Sequence, residues 1–253
     1  MTELWLSRVR LKRDASIATL APLLLPEQED SRVSSGHRLM HSLFAADGRN
    51  EPRDFLWRDD ESGSFYILSK RHPPQDHPLF EIDPPKIFAP ALSAGDQLRF
   101  SLRANPTVSR PLDSFRTQQR SSDMKKSRKT AHDDVVMDAI KDLDPPKRAD
   151  ARSKAIQSAG RKWLENQGVR CGFSLGLAPD HDDPNAGPDP LRIDGYRVLR
   201  PPRARRSSQM RIGVVDFEGV LTVTNPEQFL SALTVGFGRA KAYGCGLMLI
   251  ARA

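Results

Sequence analysis

Residues 97–104 read Gln-Leu-Arg-Phe-Ser-Leu-Arg-Ala, with Leu98, Phe100 and Leu102 on one face and Arg99, Ser101 and Arg103 on the other. Strict alternation of this kind matches the two-residue repeat of a strand with one buried and one wet face, and it matches no helix. Pro106 closes it. Residues 4–11 repeat the pattern at roughly period two through Leu4, Leu6, Val9 and Leu11. Between the two, residues 15–25 read as a short helix ending at Pro26. Leu39, Met40, Leu43 and Phe44 give helical spacing over 33–44, with Asp47-Gly48 as the stop. Phe55-Leu56-Trp57 and Phe65-Tyr66-Ile67-Leu68 read as strands across a turn at 59–63. The expected first unit, residues 1–106, is thus a strand, helix, strands and a closing strand.

The rest, 107–253, reads as a second unit. Residues 107–130 are basic and polar and read as loop. Helical patterns over 133–143 and 149–164 are interrupted by Pro145-Pro146, and 169–177 reads as a strand. Residues 196–199 and 210–217 flank an Arg-rich segment, which predicts a hairpin with a cationic tip; 219–223 continue its second strand after a kink at Gly219. Asn225-Pro226-Glu227 is a helix start, with Asn as N-cap, Pro at the first position and Glu in the first turn. A glycine-rich loop and a final strand over 247–251 finish the chain. Both units resemble a split β-α-β arrangement, so the expected fold class is α+β, with two tandem ferredoxin-like (β-α-β-β-α-β) domains.

The 253 residues carry 39 Lys and Arg against 32 Asp and Glu, a net charge of +7. That balance favours an anionic partner, nucleic acid ahead of membrane. The cations cluster: residues 197–211 hold Arg197, Arg200, Arg203, Arg205, Arg206 and Arg211 with no acid, and 116–129 form a second basic run. Two cysteines, Cys171 and Cys245, make no disulfide framework and no zinc pair. With no signal-peptide pattern and no apolar run of about twenty residues, a cytoplasmic protein without a membrane span is expected.

In the glycine loop, Gly236, Gly238, Gly244 and Gly246 stand with Arg239 and Lys241 inside eleven positions. Backbone N–H groups beside cations suit a phosphate. The loop lacks the spacing of a nucleotide-binding P-loop, and it follows a helix and precedes a strand, the reverse of a dinucleotide fingerprint.

Three segments together carry a resemblance to a known family: Arg99-Phe100-Ser101-Leu102-Arg103-Ala104-Asn105-Pro106, Phe217-Glu218-Gly219-Val220-Leu221-Thr222-Val223, and the loop Gly236-x-Gly238-x-x-Lys241-x-x-Gly244-x-Gly246-Leu247. In this order they resemble the CRISPR-associated repeat-processing endoribonucleases of the type I-E Cascade system, the CasE family. The resemblance implies two ferredoxin-like domains and a metal-independent ribonuclease with no cofactor. It implies binding to the stem-loop of CRISPR repeat RNA, cleavage at the base of the stem by the upstream 2′-hydroxyl, and retention on the crRNA beside other Cascade subunits.

Carried onto this sequence, the family's catalytic His falls at His37, an imidazole whose ordinary pKa of about 6.5 suits proton transfer near neutrality. His41, one turn on, is a packing or substrate-near residue, and no further ligand accompanies the pair at metal-binding spacing. Family members carry a Tyr three residues before the His; here that position is Ser34, whose hydroxyl is shorter in reach and far less acidic. A cation is the alternative source of transition-state stabilisation, with Arg38, Lys241 and the Arg-rich hairpin as candidates. Arg200, Arg203, Arg205 and Arg206 match the family's RNA-inserting hairpin. Gly236, Gly238, Arg239 and Lys241 are expected at the RNA backbone. A second reading stays open: a crRNA-binding Cascade subunit of the same fold that does not cut, favoured by Ser34 and opposed by His37.

Overall fold

The computed structural model describes residues 3–44, 54–60, 63–111, 130–176, 189–202 and 210–253. The first sheet is built from β1 (Trp5–Leu11), β2 (Phe55–Asp59), β3 (Ser64–Ser69), β4 (Phe80–Ile82) and β5 (Lys86–Ile87), with α1 (Ala15–Leu24) and α2 (Glu29–Phe44) between β1 and β2. Its order is β2-β3-β1-β4, with β5 also on β1, and every pairing is antiparallel. Asp14 caps α1, its side chain accepting from the Ile17 N–H at 2.9 Å. α2 lays Leu39, Met40 and Leu43 against Val9, Trp57, Phe65 and Ile67 of the sheet.

The second sheet holds β6 (Gln97–Ala104), β9 (Phe173–Leu175), β10 (Leu191–Leu199), β11 (Ile212–Val223) and β12 (Met248–Arg252). Its order is β10-β11-β6-β12, with β9 on β11. β7 (Thr107–Pro111) and β8 (Thr130–Asp134) form a separate ribbon, followed by α3 (Val135–Ala139) and α4 (Pro145–Cys171). α5 (Pro226–Val235) precedes β12. Trp163 and Leu164 of α4 and Phe229 and Leu233 of α5 close the core over Phe100, Leu102 and Phe217.

Both sheets place their strands in one order, second-third-first-last, which is the split β-α-β order of the ferredoxin-like fold. In the first, the chain from β3 to β4 has no helix; in the second, α5 fills that connection.

Five local expectations change. β6, expected to close the first unit, runs through the centre of the second sheet, paired with β11 from Gln97↔Thr222 to Ala104↔Val215 and with β12 on its other side. Alternation fixes which face of a strand is apolar and says nothing about which sheet receives it. Pro145-Pro146 begin α4 rather than interrupt a helix, because the first turn leaves its N–H groups unpaired in any case. α4 then runs to Cys171 and stops at left-handed Gly172, so Val169, expected in a strand, lies in the helix and is 83% exposed. β11 passes Gly219 without a break, since that residue pairs with Phe100 and Leu191 while crowding the Pro190 carbonyl. The ends of the 107–130 stretch are strands; the basic run 116–129 lies outside the described residues. The Asn225 cap stands as expected, its side chain accepting from the Gln228 N–H at 3.1 Å.

Candidate active site and nucleic-acid interface

Glu29 and Asp30 in the first turn of α2 suit its positive N-terminal dipole. The buried strip of the helix is Ser35, Gly36, Leu39, Met40 and Leu43. His37 and His41 flank it, half-buried, with ring centroids 4.5 Å apart in an edge-to-face contact. His41 also packs on Phe55 at 5.3 Å, so it is held into the first core. His37 instead meets Tyr243 of the second unit, ring to ring at 5.9 Å and tilted by 36°. Ser34 is half-buried one turn before His37. Arg38 is exposed and donates to the Ser35 hydroxyl at 3.1 Å.

The second unit brings its glycine loop to this helix. Gly246 donates its N–H to the Arg103 carbonyl at 2.7 Å, and Phe237 donates to the Gly246 carbonyl at 2.9 Å. Between them the chain makes a 3-10 turn, Lys241–Tyr243, that lies against α2. Asn105, buried at the end of β6, donates to the Gly213 carbonyl at 2.6 Å while its own carbonyl faces the Arg239 N–H at 3.4 Å. The strand-end motif thus fastens the glycine loop to the base of the β10–β11 hairpin. The near neighbours of Gly236 and Gly238 are protein groups, Leu56 and the Asn105 carbonyl. Arg239 is exposed, and Lys241 is half-buried with its stem beside Gly246.

A cleft of about 400 Å³ opens at the seam, lined by Glu29, Arg32, Trp57, Arg103, Arg197 and Tyr243 among others. Each arginine there has a carboxylate partner. Arg32 grips Asp59 with two bonds of 2.7 and 3.2 Å, and Arg103 grips Asp216 with two of 2.8 and 3.0 Å. Arg197 reaches Asp216 at 3.2 Å and also pairs with Glu29 of α2. The Arg200 backbone N–H donates to Asp30 at 2.6 Å. The hairpin base is therefore tied to the first turn of the helix that carries His37. Burial pushes the Asp216 carboxyl up, but bonds and charge from Arg103, then Arg197, more than reverse this and hold it below the usual carboxylate range.

Of the expected site residues, the fold brings together His37, Ser34, the glycine loop and the start of the cationic hairpin at Arg200. Arg203, Arg205 and Arg206 lie outside the described residues. Among the described residues, no group of three or more His, Cys, Asp or Glu side chains is placed to hold a metal ion. No helix among them is long and apolar enough to cross a membrane. Sequence reasoning gave no site role to Tyr243 or to the Arg103–Asp216 pair, and counted Arg197 only within the basic run 197–211. Tyr243 and Arg103 lie inside the motifs singled out, and the signal available was that each is a polar side chain within a segment constrained for other reasons.

A family model described as CRISPR-associated protein matches residues 4–252. The CRISPR-associated endoribonuclease Cse3 of Thermus thermophilus is 29% identical over 183 residues, 70% of this chain. That alignment spans 65% of the relative's own length. The solved structure of Thermus thermophilus Cse3 bound to an RNA representing a pre-cleavage complex has the same fold, with a TM-score of 0.60 at 23% identity, over 98% of this chain and 99% of that one. A chain of a CRISPR RNA-guided surveillance complex matches with a TM-score of 0.51 at 19% identity, over 98% and 100%. With the family matched over almost the whole length and the fold shared from end to end, this chain belongs to the CRISPR-associated protein family.

Proposed function

We propose that the protein is a metal-independent endoribonuclease that binds the stem-loop of CRISPR repeat RNA and cuts precursor crRNA at the base of the stem. The observation that carries this reading is the seat of His37. A half-buried imidazole on a helix of one unit faces the glycine loop of the other, beside an arginine-lined cleft. The name of the T. thermophilus relative, an endoribonuclease, supports it.

The 2′-oxygen upstream of the cut attacks phosphorus as the bond to the 5′-oxygen breaks. One proton leaves the 2′-hydroxyl and one reaches the departing 5′-oxygen, so no water is consumed. The products are a 2′,3′-cyclic phosphate and a 5′-hydroxyl. His37 carries one of these proton transfers. Ser34 is at most an auxiliary hydroxyl. Arg200, Arg203, Arg205 and Arg206 follow the phosphates of the stem, which A-form RNA exposes while its deep, narrow major groove hides the base edges there. Arg38, Arg239 and Lys241 add positive charge around the site, and Gly236 and Gly238 shape the loop that holds them. The enzyme then stays on its crRNA in the cytoplasm as a Cascade subunit.

The test is incubation with the cognate repeat RNA in EDTA, wild type beside His37→Ala and beside a substrate with a 2′-deoxy sugar upstream of the cut. Wild type cuts; the variant and the deoxy substrate do not, and His37→Ala keeps its RNA affinity. Tight binding without any cleavage by wild type would leave the binding-subunit reading in its place.

A further inference from the structure

We propose that Tyr243 is a second catalytic residue of this site, its phenol hydroxyl donating a hydrogen bond to a non-bridging oxygen of the scissile phosphate while His37 moves the proton. The inference rests on the ribonuclease reading above.

Tyr243 belongs to the site by position: its ring meets His37 at 5.9 Å and it lines the arginine-lined cleft. It is half-buried, and among the described residues its hydroxyl has no hydrogen-bond partner. Packing alone would make the same use of a phenylalanine. A phenol adds a donor at the end of a rigid ring, and here that donor is left for something that enters the cleft.

Its placement is also fixed more firmly than packing on a half-buried ring requires. Ala240, with φ of 54°, is the one non-glycine in the left-handed region among the described residues, and its carbonyl accepts from the Tyr243 N–H at 2.8 Å to close the turn. Gly36, just before His37, and Gly244, just after Tyr243, both lie against the indole of Trp57. A single buried ring thus sets the spacing between the helix that carries the imidazole and the turn that carries the phenol. A preorganised donor of this kind stabilises charge that develops on phosphate oxygens without reorganising during the reaction.

The test compares wild type, Tyr243→Phe and His37→Ala in single-turnover cleavage of the cognate repeat RNA, with RNA affinity measured in parallel. Tyr243→Phe keeps the ring against His37 and loses the donor. Its cleavage slows by about a hundredfold or more, the usual loss for one such donor, with affinity unchanged and an unshifted melting temperature. Sulfur at the contacted phosphate oxygen slows wild type more than it slows Tyr243→Phe. Wild-type cleavage by Tyr243→Phe, with His37→Ala inactive, overturns the role of Tyr243 and leaves the ribonuclease standing. So does a loss that appears wholly in affinity. Absence of cleavage by wild type removes both.

Discussion

Gly36 is pressed against Trp57: a Cβ built at position 36 would stand 2.8 Å from the indole Cη2. Trp57 is only 1% exposed, and atoms of the same ring meet Gly244 at 3.1 Å from where its Cβ would be. The indole is in close contact with both glycines, so added volume at either presses α2 and the glycine loop apart. Gly36→Ala is expected to cost about 1–3 kcal/mol, the usual range for overpacking. It should also slow cleavage, because His37 is the next residue. Denaturant unfolding and single-turnover cleavage read the two effects.

The Arg103–Asp216–Arg197 cluster predicts acid sensitivity. Asp216 is held below its unfolded value, so its contribution is fully present above that value and is lost as pH falls through the folded one. Stability therefore falls below about pH 4, where a free aspartate is about half protonated. Asp216→Asn should lose about 3 kcal/mol at neutral pH, as for one partner removed from a mostly buried pair, and its stability should change less over the acid limb. Thermal melts between neutral and acid pH check both.

Asn105→Ala leaves the Gly213 carbonyl without its 2.6 Å donor, while the Arg239 N–H keeps the backbone carbonyl of residue 105. A buried polar group left unpaired costs about 1–3 kcal/mol. Since Asn105 joins the loop to the hairpin base, the variant should also weaken RNA binding, which a filter-binding titration would show.

RNA affinity should fall steeply with salt. Each arginine among Arg200, Arg203, Arg205 and Arg206 that meets a phosphate should, on change to Ala, lower the slope of log affinity against log salt by about 0.7–0.9. A slope unchanged by all four substitutions would remove the hairpin from the interface.

Burial pushes the Cys245 thiol up to about 12. At pH 8 it holds almost no thiolate, the reactive form. Iodoacetamide should leave Cys245 unmodified in the native protein and label it once denaturant is added, as peptide mass analysis would show.

Local chemistry made much of this protein legible in its sequence. The alternation of Leu98, Phe100 and Leu102 declared a strand and its buried face, and Asn225-Pro226 declared a helix start, because both signals act over a few neighbouring residues. The expectation for His37 came from the family resemblance that three ordered motifs carry. Where the decision was not local, the sequence by itself was silent or misleading. Pro145-Pro146 mark a helix boundary but not which side of it the helix occupies. β6 carries the same period whichever sheet receives it, and only the tertiary fold set it between β11 and β12. The meeting of His37 with Tyr243, and of Arg197 with Glu29, joins opposite ends of the chain. Such contacts follow from how two sheets and one indole pack together, and no periodicity or spacing encodes them.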